Sequence, residues 1–522
     1  MKKKVFTAFL CLALAILLSA CSPVETIRSF IVEKIGKDEN APIATLYTDK
    51  SGDQYLGTMN GDAVRLAKEA ENVFLTADRK HVVYTQPSGK ETEVILQDTK
   101  TNEKKEICTL PSGETLYAIL PSSRCLLILT GSEKTGSLMV YDMKTNDFPV
   151  KLEKFTEGEL ASFQMAAYEG SGVSASFGYV RDKAIYTFRE GDKEATKLYT
   201  VSAAEPELLY LSANCDTVVW SETSGKVVTL RMAYRDKVTV AVRDLGLDDE
   251  ILINGTLDGG FTAIYAGNHL RMFRKNEQIA SMKSIYESVG LDDVVYTDGG
   301  LLTSTAGSAV KGIYLEMDEA LWYVDTDGGK KKILSNLDRY VIRKNKIYYI
   351  QNNVFYMADI KNGEATDRLK IGSEVLDFAV SQDGKFAYFI NVYDTLYAFR
   401  YGEQIANRVA SDVAAYYVTT TSGCVLYLIE KKQVSGESEP TSYIGTLMRY
   451  DCKKDASRTV AYDVSILSLN SGMKLDGDGY SYIDISSFEF LEYAGTDNGR
   501  TVYDLRYHSA KKMETVAENV RP

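Results

Sequence analysis

Ser381-Gln382-Asp383-Gly384-Lys385-Phe386-Ala387-Tyr388-Phe389 is the stretch that decides the fold. It opens polar and closes apolar. Asp383-Gly384 supplies the positive-φ residue that a tight turn needs. The run from Lys385 to Ile390 is rich in aromatic side chains and has the composition of a β-strand.

The same alternation of turn and strand extends outward in both directions. Val82-Val83-Tyr84, Thr92 to Leu96, Leu138 to Tyr141 and Lys346 to Ile350 are further short apolar runs. Asn60-Gly61, Asn254-Gly255, Asp258-Gly259, Asp298-Gly299, Asp327-Gly328, Asn362-Gly363 and Asn498-Gly499 punctuate them. With 9 prolines in 522 residues, and no long helical period beyond Ala44, the body is all-β. The runs group in fours. First strands are expected near Val73, Leu116, Phe163, Leu208, Leu252, Val294, Tyr340, Leu376, Ala415 and Ile466. A repeat of about 40–45 residues with four strands per unit is the signature of a β-propeller. One four-stranded sheet cannot bury both faces alone, whereas a ring of sheets packs them face to face.

The opening stretch resembles the Ser-Pro-Asp-Gly-Lys-x-Ile-Ala-Phe repeat of TolB-type propellers, with Gln382 in place of Pro. Thr76 to Tyr84 is a looser copy, and Leu321 to Asp325 and Val140-Tyr141-Asp142 resemble the later strand of that repeat. The resemblance covers most of residues 44–510 and implies a propeller, which is expected over residues 41–515 and followed by a tail at 516–522. It implies no activity, because that repeat serves many unrelated proteins. About eight blades are expected, within a range of seven to ten, typical rings holding four to eight. One ring is expected, the alternative being two smaller propellers. Gly299 to Val310 is read as an insertion and Gln433 to Thr441 as a long exposed hairpin loop. The N-terminal hairpin from Ala44 to Leu66 is expected to pair near Tyr493 to Tyr507 and close the ring.

The start of the chain carries an address. Lys2-Lys3-Lys4 precede an uncharged apolar run from Val5 to Leu17, an export-signal pattern too short for a membrane span of about 20 residues. Leu18-Ser19-Ala20-Cys21 then resembles the bacterial lipoprotein cleavage box. The resemblance implies cleavage between Ala20 and Cys21, a signal peptide at 1–20, and diacylglycerol on the Cys21 sulfur. The anchored, extracytoplasmic location at the outer face of a bacterial membrane follows from it. Within 21–40, Ser22, Pro23 and Glu25 form a helix-start signal, Val24, Ile27, Ile31 and Ile35 share one face, and Gly36 is a stop. This helix lies on the bilayer or packs on the body.

Charge and composition narrow the partners. The formal net charge is −12, and loss of the three leading lysines leaves 57 basic against 72 acidic residues, a net −15. Nucleic acid is excluded as a partner on that balance. The membrane is to be held by lipid rather than by a polybasic patch. Beyond Cys11 and Cys21, five cysteines remain, none in a Cys-x-x-Cys pair, so zinc and thioredoxin chemistry have no support. Cys125 and Cys424 lead into apolar runs and are read as buried small hydrophobes, the alternative being a bridge of the Cys125-to-Cys215 kind.

Little in the body points to reaction chemistry. The three histidines, His81, His269 and His508, stand apart from any Gly-x-Ser-x-Gly or His-x-x-x-His pattern. Asp476-Gly477-Asp478-Gly479 and Asp325-Thr326-Asp327-Gly328-Gly329 have calcium-like spacing, but position twelve from Asp476 is Ser487, so both are read as turns. The 35 tyrosines, including Tyr348, Tyr349, Tyr416 and Tyr417, are assigned mainly to strand packing. No metal, cofactor or catalytic residue is assigned, and no ligand-binding residue. The expected function is that of a binding or scaffold propeller for an envelope protein, glycan or peptide. The alternative is a propeller enzyme acting on carbohydrate through paired carboxylates.

Overall fold

The computed structural model describes residues 44–521 except 59–62, 77, 111–114, 123, 132–134, 157–161, 167–174, 203–204, 284–288, 297–309, 318–319, 344, 362, 435–441, 467, 470–472, 476–480, 486, 499 and 510–512. The signal segment, Ala20, Cys21, the expected helix from Ser22 to Gly36 and Asp476 to Gly479 lie outside the described residues.

Nine groups of four antiparallel strands follow one another, at residues 71–110, 115–156, 164–200, 205–245, 251–283, 289–335, 339–373, 375–410 and 415–465. These are units 1 to 9. Within each, strands hydrogen-bond in chain order. The second strand is the most buried. Phe261–Ala266 is buried throughout, and Cys125–Gly131 and Phe386–Asn391 nearly so. A strand covered on both faces needs a continuous apolar run rather than alternation, hence Phe386-Ala387-Tyr388-Phe389. The fourth strand is the most exposed, as in Lys104–Leu110 and Glu277–Lys283. First strands of successive units approach one another, as between units 1 and 2, 3 and 4, 4 and 5, and 5 and 6. They are therefore the strands nearest the common axis.

Apolar clusters fill the space between each unit and the next. Units 1 and 2 share Val83, Val94, Leu126 and Ile128, and units 7 and 8 share Tyr348, Phe355, Phe378 and Phe389. Phe355 lies 4.6 Å from Phe378 and 5.4 Å from Phe389, ring centre to ring centre. Burying each such ring contributes roughly 1.5–3 kcal/mol. Further clusters join units 2 to 3, 3 to 4, 4 to 5, 5 to 6, 6 to 7 and 8 to 9.

Both chain ends complete the circle. Ser487–Asp497, Arg500–Ser509 and Met513–Arg521 pack on unit 9 through Phe488 and Phe490. Ala44–Asp49, Gln54–Thr58 and Ala63–Arg65 pack on unit 1 through Ala44, Leu56 and Leu66. The two ends meet where Thr48 pairs with Arg521 and Asp49 with Val520, backed by Tyr47, Tyr503 and Val516. The protein is a β-propeller, closed without a covalent link.

The structure refines several expectations. Nine of the ten expected unit starts fall in or beside the first strand of a unit. The tenth, Ile466, instead opens a connection that carries, among the described residues, the two-stranded hairpin Met473–Leu475 and Ser481–Ile483. Nine four-stranded units and two closing end pieces stand within the expected range, above its centre. The N-terminal hairpin closes the ring, but against Met513–Arg521 rather than the strands near Tyr493 to Tyr507. Residues 516–521, expected as a tail, belong to that closing strand, because Val516 and Val520 are needed to cover Tyr47. Gln433 and Val434 extend a strand and pair with Tyr443 and Ser442 rather than looping out. Val310 is buried against unit 5.

Candidate functional site

The turn quoted at the outset explains its own sequence. Ser381 Oγ donates to Asp383 Oδ1 at 2.7 Å and accepts from Phe386 N–H at 3.0 Å. Asp383 Oδ1 also accepts from Lys385 N–H at 3.1 Å, and Gly384 N–H closes on Ser381 C=O at 2.8 Å. The same bonds recur at Thr76-Asp78-His81, Ser212-Asn214-Thr217 and Thr256-Asp258-Phe261. In all four the fourth residue is left-handed: Arg79 at φ 57°, Cys215 at 58°, Gly259 at 64° and Gly384 at 65°. The copies at Ser212 and Thr256 went unread in the sequence. Ser or Thr, then Asp or Asn two residues on, five residues before a strand position, was the signal.

These turns sit where the first strand ends, and each touches a neighbour. Ser422 Oγ donates to Asp383 Oδ2 at 2.8 Å, Thr217 Oγ1 to Gly259 C=O at 2.6 Å, and Arg79 Nη1 to Glu489 Oε1 at 2.8 Å. Burial pushes the Asp383 carboxyl up, but hydrogen bonds from Ser381, Ser422 and Lys385 N–H outweigh it and hold the group below its ordinary value. This end of the ring is the turn face. The opposite end, where first strands begin, is the entry face.

At the entry face three first strands bring a row of polar groups to the inner rim. Arg339 of unit 7 donates to Asp377 Oδ1 of unit 8, and Tyr416 of unit 9 donates its hydroxyl to Asp377 Oδ2 at 2.8 Å. The Arg339 guanidinium also lies 5.2 Å from the centre of the Phe378 ring. Burial raises the Tyr416 hydroxyl well above its ordinary value, so it stays a donor. Leu376, beside the row, is 59% exposed. Asp377 has both oxygens engaged, which suits a recognition element held in shape better than a free general base.

The connection from Ile466 to Ile485 passes from the entry face to the turn face. Ile466 N–H donates to Tyr443 C=O at 3.0 Å near the entry end. At the turn end Thr420 N–H donates to Ile483 C=O at 2.9 Å. There Tyr482, fully buried, donates to Val380 C=O at 3.0 Å and accepts from Arg343 Nη2 at 2.9 Å. Arg343 is itself only 2% exposed. One connection thus ties the inner-strand ends of units 7, 8 and 9 together.

The residues singled out in the sequence are scattered around the ring. His81 opens the second strand of unit 1. His269 donates through Nδ1–H to Gly267 C=O at 2.9 Å, and His508 stacks on Phe488 at 4.8 Å. Burial, with Arg458 and Arg449 nearby, lowers the His508 pKa. Asp325 Oδ1 accepts from Asp327 N–H at 2.9 Å and Gly329 N–H at 2.7 Å, a self-capped turn. Among the described residues no group of three His, Cys, Asp or Glu side chains could hold a metal ion. Cys125, Cys215 and Cys424 are buried, and burial pushes the Cys125 and Cys215 thiols up to about 12 and those of Cys108 and Cys452 to about 11. Tyr348, Tyr349 and Tyr417 are core side chains, as expected, whereas Tyr416 belongs to the rim row. Arg339, Asp377, Arg343 and Tyr482 were not read from sequence. Their partners lie elsewhere in the ring, and only a charge in an otherwise apolar strand marked Arg339, Arg343 and Asp377.

No family model matches the chain, and no curated protein matches it. Among solved structures it is similar to the tricorn protease at 10% identity and a TM-score of 0.25, over 92% of this chain and 62% of that one. It is also similar to dihydro-heme d1 dehydrogenase NirN, at 11% identity and a TM-score of 0.31 over 76% of each chain. A prolyl endopeptidase matches at 8% identity and a TM-score of 0.27, over 73% of this chain and 54% of that one. The chain thus spans 62% of the tricorn protease chain it matches. The propeller assignment stands on this chain's own strand pairing and ring closure.

Proposed function

We propose that this chain is a lipid-anchored binding scaffold, held by Cys21 at the outer face of a bacterial membrane and presenting its ring to an envelope protein, glycan or peptide. The observation that carries the binding part is the entry-face rim of units 7 to 9. There Arg339, Asp377 and Tyr416 form a fixed row of donors and acceptors beside exposed Leu376. A closed ring holds such a row with little motion, so a ligand need not order it on binding. The anchor rests on Leu18-Ser19-Ala20-Cys21.

Metabolic labelling with an alkyne fatty acid tests the anchor. Wild-type protein is expected to label and fractionate with membranes, and Cys21→Ala to do neither. Unchanged retention of Cys21→Ala overturns it. For the binding part, Arg339→Ala and Tyr416→Phe are expected to weaken capture by cross-linking in intact cells. Turnover in a polysaccharide hydrolase screen that Asp377→Asn abolishes would overturn the scaffold reading in favour of a carbohydrate enzyme.

A further inference from the structure

Most large apolar side chains that stand out from the described surface lie toward the entry face, Tyr401 and Ile405 being at the turn face of unit 8. Leu376, Val392 and Tyr393 of unit 8 and Tyr443 and Tyr462 of unit 9 are all exposed at the entry face. Those of unit 8 form one surface. Val392 N–H donates to Glu374 C=O and Val413 N–H to Asp394 C=O, each at 2.9 Å, stitching three adjacent loops together. Tyr393 is 65% exposed, yet its backbone is fixed. Buried Asn391 Oδ1 accepts from Tyr393 N–H at 3.1 Å and from Thr395 N–H at 3.0 Å. An aromatic ring presented on a pre-formed turn binds without first losing backbone freedom.

The rim of this patch is acidic. Glu374, Asp394 and Asp412 stand one in each of the three stitched loops, all exposed. None of the three has an ion pair among the described residues. Arg339, on the neighbouring first strand, is taken up by Asp377. An apolar centre ringed by uncompensated carboxylates complements a segment that carries positive charge beside bulky apolar side chains. The same carboxylates repel an anionic lipid surface and nucleic acid.

We propose that the entry face of unit 8, centred on Tyr393, Leu376 and Val392, docks a basic-apolar peptide segment of a partner protein. This rests on the scaffold reading above and names the chemistry of its partner.

The test uses full-length lipidated protein in nanodiscs and short synthetic peptides with Lys or Arg interleaved with Leu and Phe. Matched peptides carry Glu in place of the basic residues, or Ser in place of the apolar ones. Fluorescence polarisation is expected to show the basic-apolar set binding about ten-fold or more tightly than either matched set, with the advantage shrinking as salt rises. Combined Glu374→Gln, Asp394→Asn and Asp412→Asn, or Tyr393→Ser alone, is expected to weaken that binding about ten-fold while the thermal midpoint stays at the parent value. Equal binding of all sets overturns the proposal, as does binding indifferent to these substitutions. Saturable binding of phosphatidylglycerol vesicles, of a second copy of the chain, or of a peptide of residues 22–36 through the same residues also overturns it. If a partner cross-links in cells and these variants leave the yield unchanged, this site fails while the scaffold reading stands. If no partner cross-links at all, the scaffold reading fails first.

Discussion

Gly384→Ala is the sharpest probe of how the units lock together. Gly384 has φ 65°, and a Cβ placed there would lie 2.9 Å from Arg343 Cβ of the preceding unit. Two costs follow. Putting Ala in the left-handed region costs about 1–2 kcal/mol. Forcing a methyl against a Cβ fixed to its own backbone adds about 1–3 kcal/mol of overpacking. The sum is roughly 2–5 kcal/mol. Gly225→Ala separates the two. Gly225 has nearly the same φ, 63°, but an added Cβ there meets nothing within 4 Å. It should show the backbone cost alone. Urea unfolding followed through the two tryptophans, Trp220 and Trp322, reads both variants. The Gly384→Ala midpoint should fall clearly further. Equal shifts for the two would refute the claim that these turns are packed hard against their neighbours.

Other outcomes follow from the same structure. Arg79→Ala removes the bonds to Glu489 at 2.8 Å and Ala44 C=O at 3.0 Å, so it should cost about 2–3 kcal/mol and speed amide exchange at 44–65 before the rest of the ring. Tyr482→Phe deletes the donor to Val380 and the acceptor for Arg343 and should cost about 1–3 kcal/mol, read as a drop in thermal midpoint. The lowered His508 pKa means its contribution is complete above about pH 6.5 and is lost as pH falls through the folded value, while lowered Asp383 acts likewise below about pH 4. His508→Phe should remove the first step in a plot of midpoint against pH, and Asp383→Asn should flatten the second. Burial of Cys125 and Cys215, with thiols raised to about 12, predicts that Ellman's reagent at pH 8 labels neither until the chain is unfolded.

The fold was legible because its signals are local. Asp383-Gly384 before Phe386-Ala387-Tyr388-Phe389 encodes a turn and a doubly buried strand within nine residues. Regular repetition of that pattern then implies a ring. The limits of the ring were harder to read. Ile466 begins an apolar run like those that start units, but its partners are Tyr443, Tyr417 and unit 9, and it builds a crossing connection instead. Met513–Arg521 is a rather polar strand, and only its pairing with Thr48 and Asp49 shows that it closes the circle. The rim row was hidden for the same reason. Arg339, Asp377 and Tyr416 are separated by 38 and 39 residues and share a site only because one unit's first strand lies beside the next.

A rigid platform requires that the ends of this chain meet. Thr48 and Arg521 are direct partners across the closing strands, so paired cysteines at Thr48→Cys and Arg521→Cys place the question in one bond. Under mild oxidation the account predicts an internal cross-link, seen as a faster-migrating band that reductant reverses, and a raised thermal midpoint. A double variant that stays reduced, or links only between molecules, while remaining folded would contradict the closed ring.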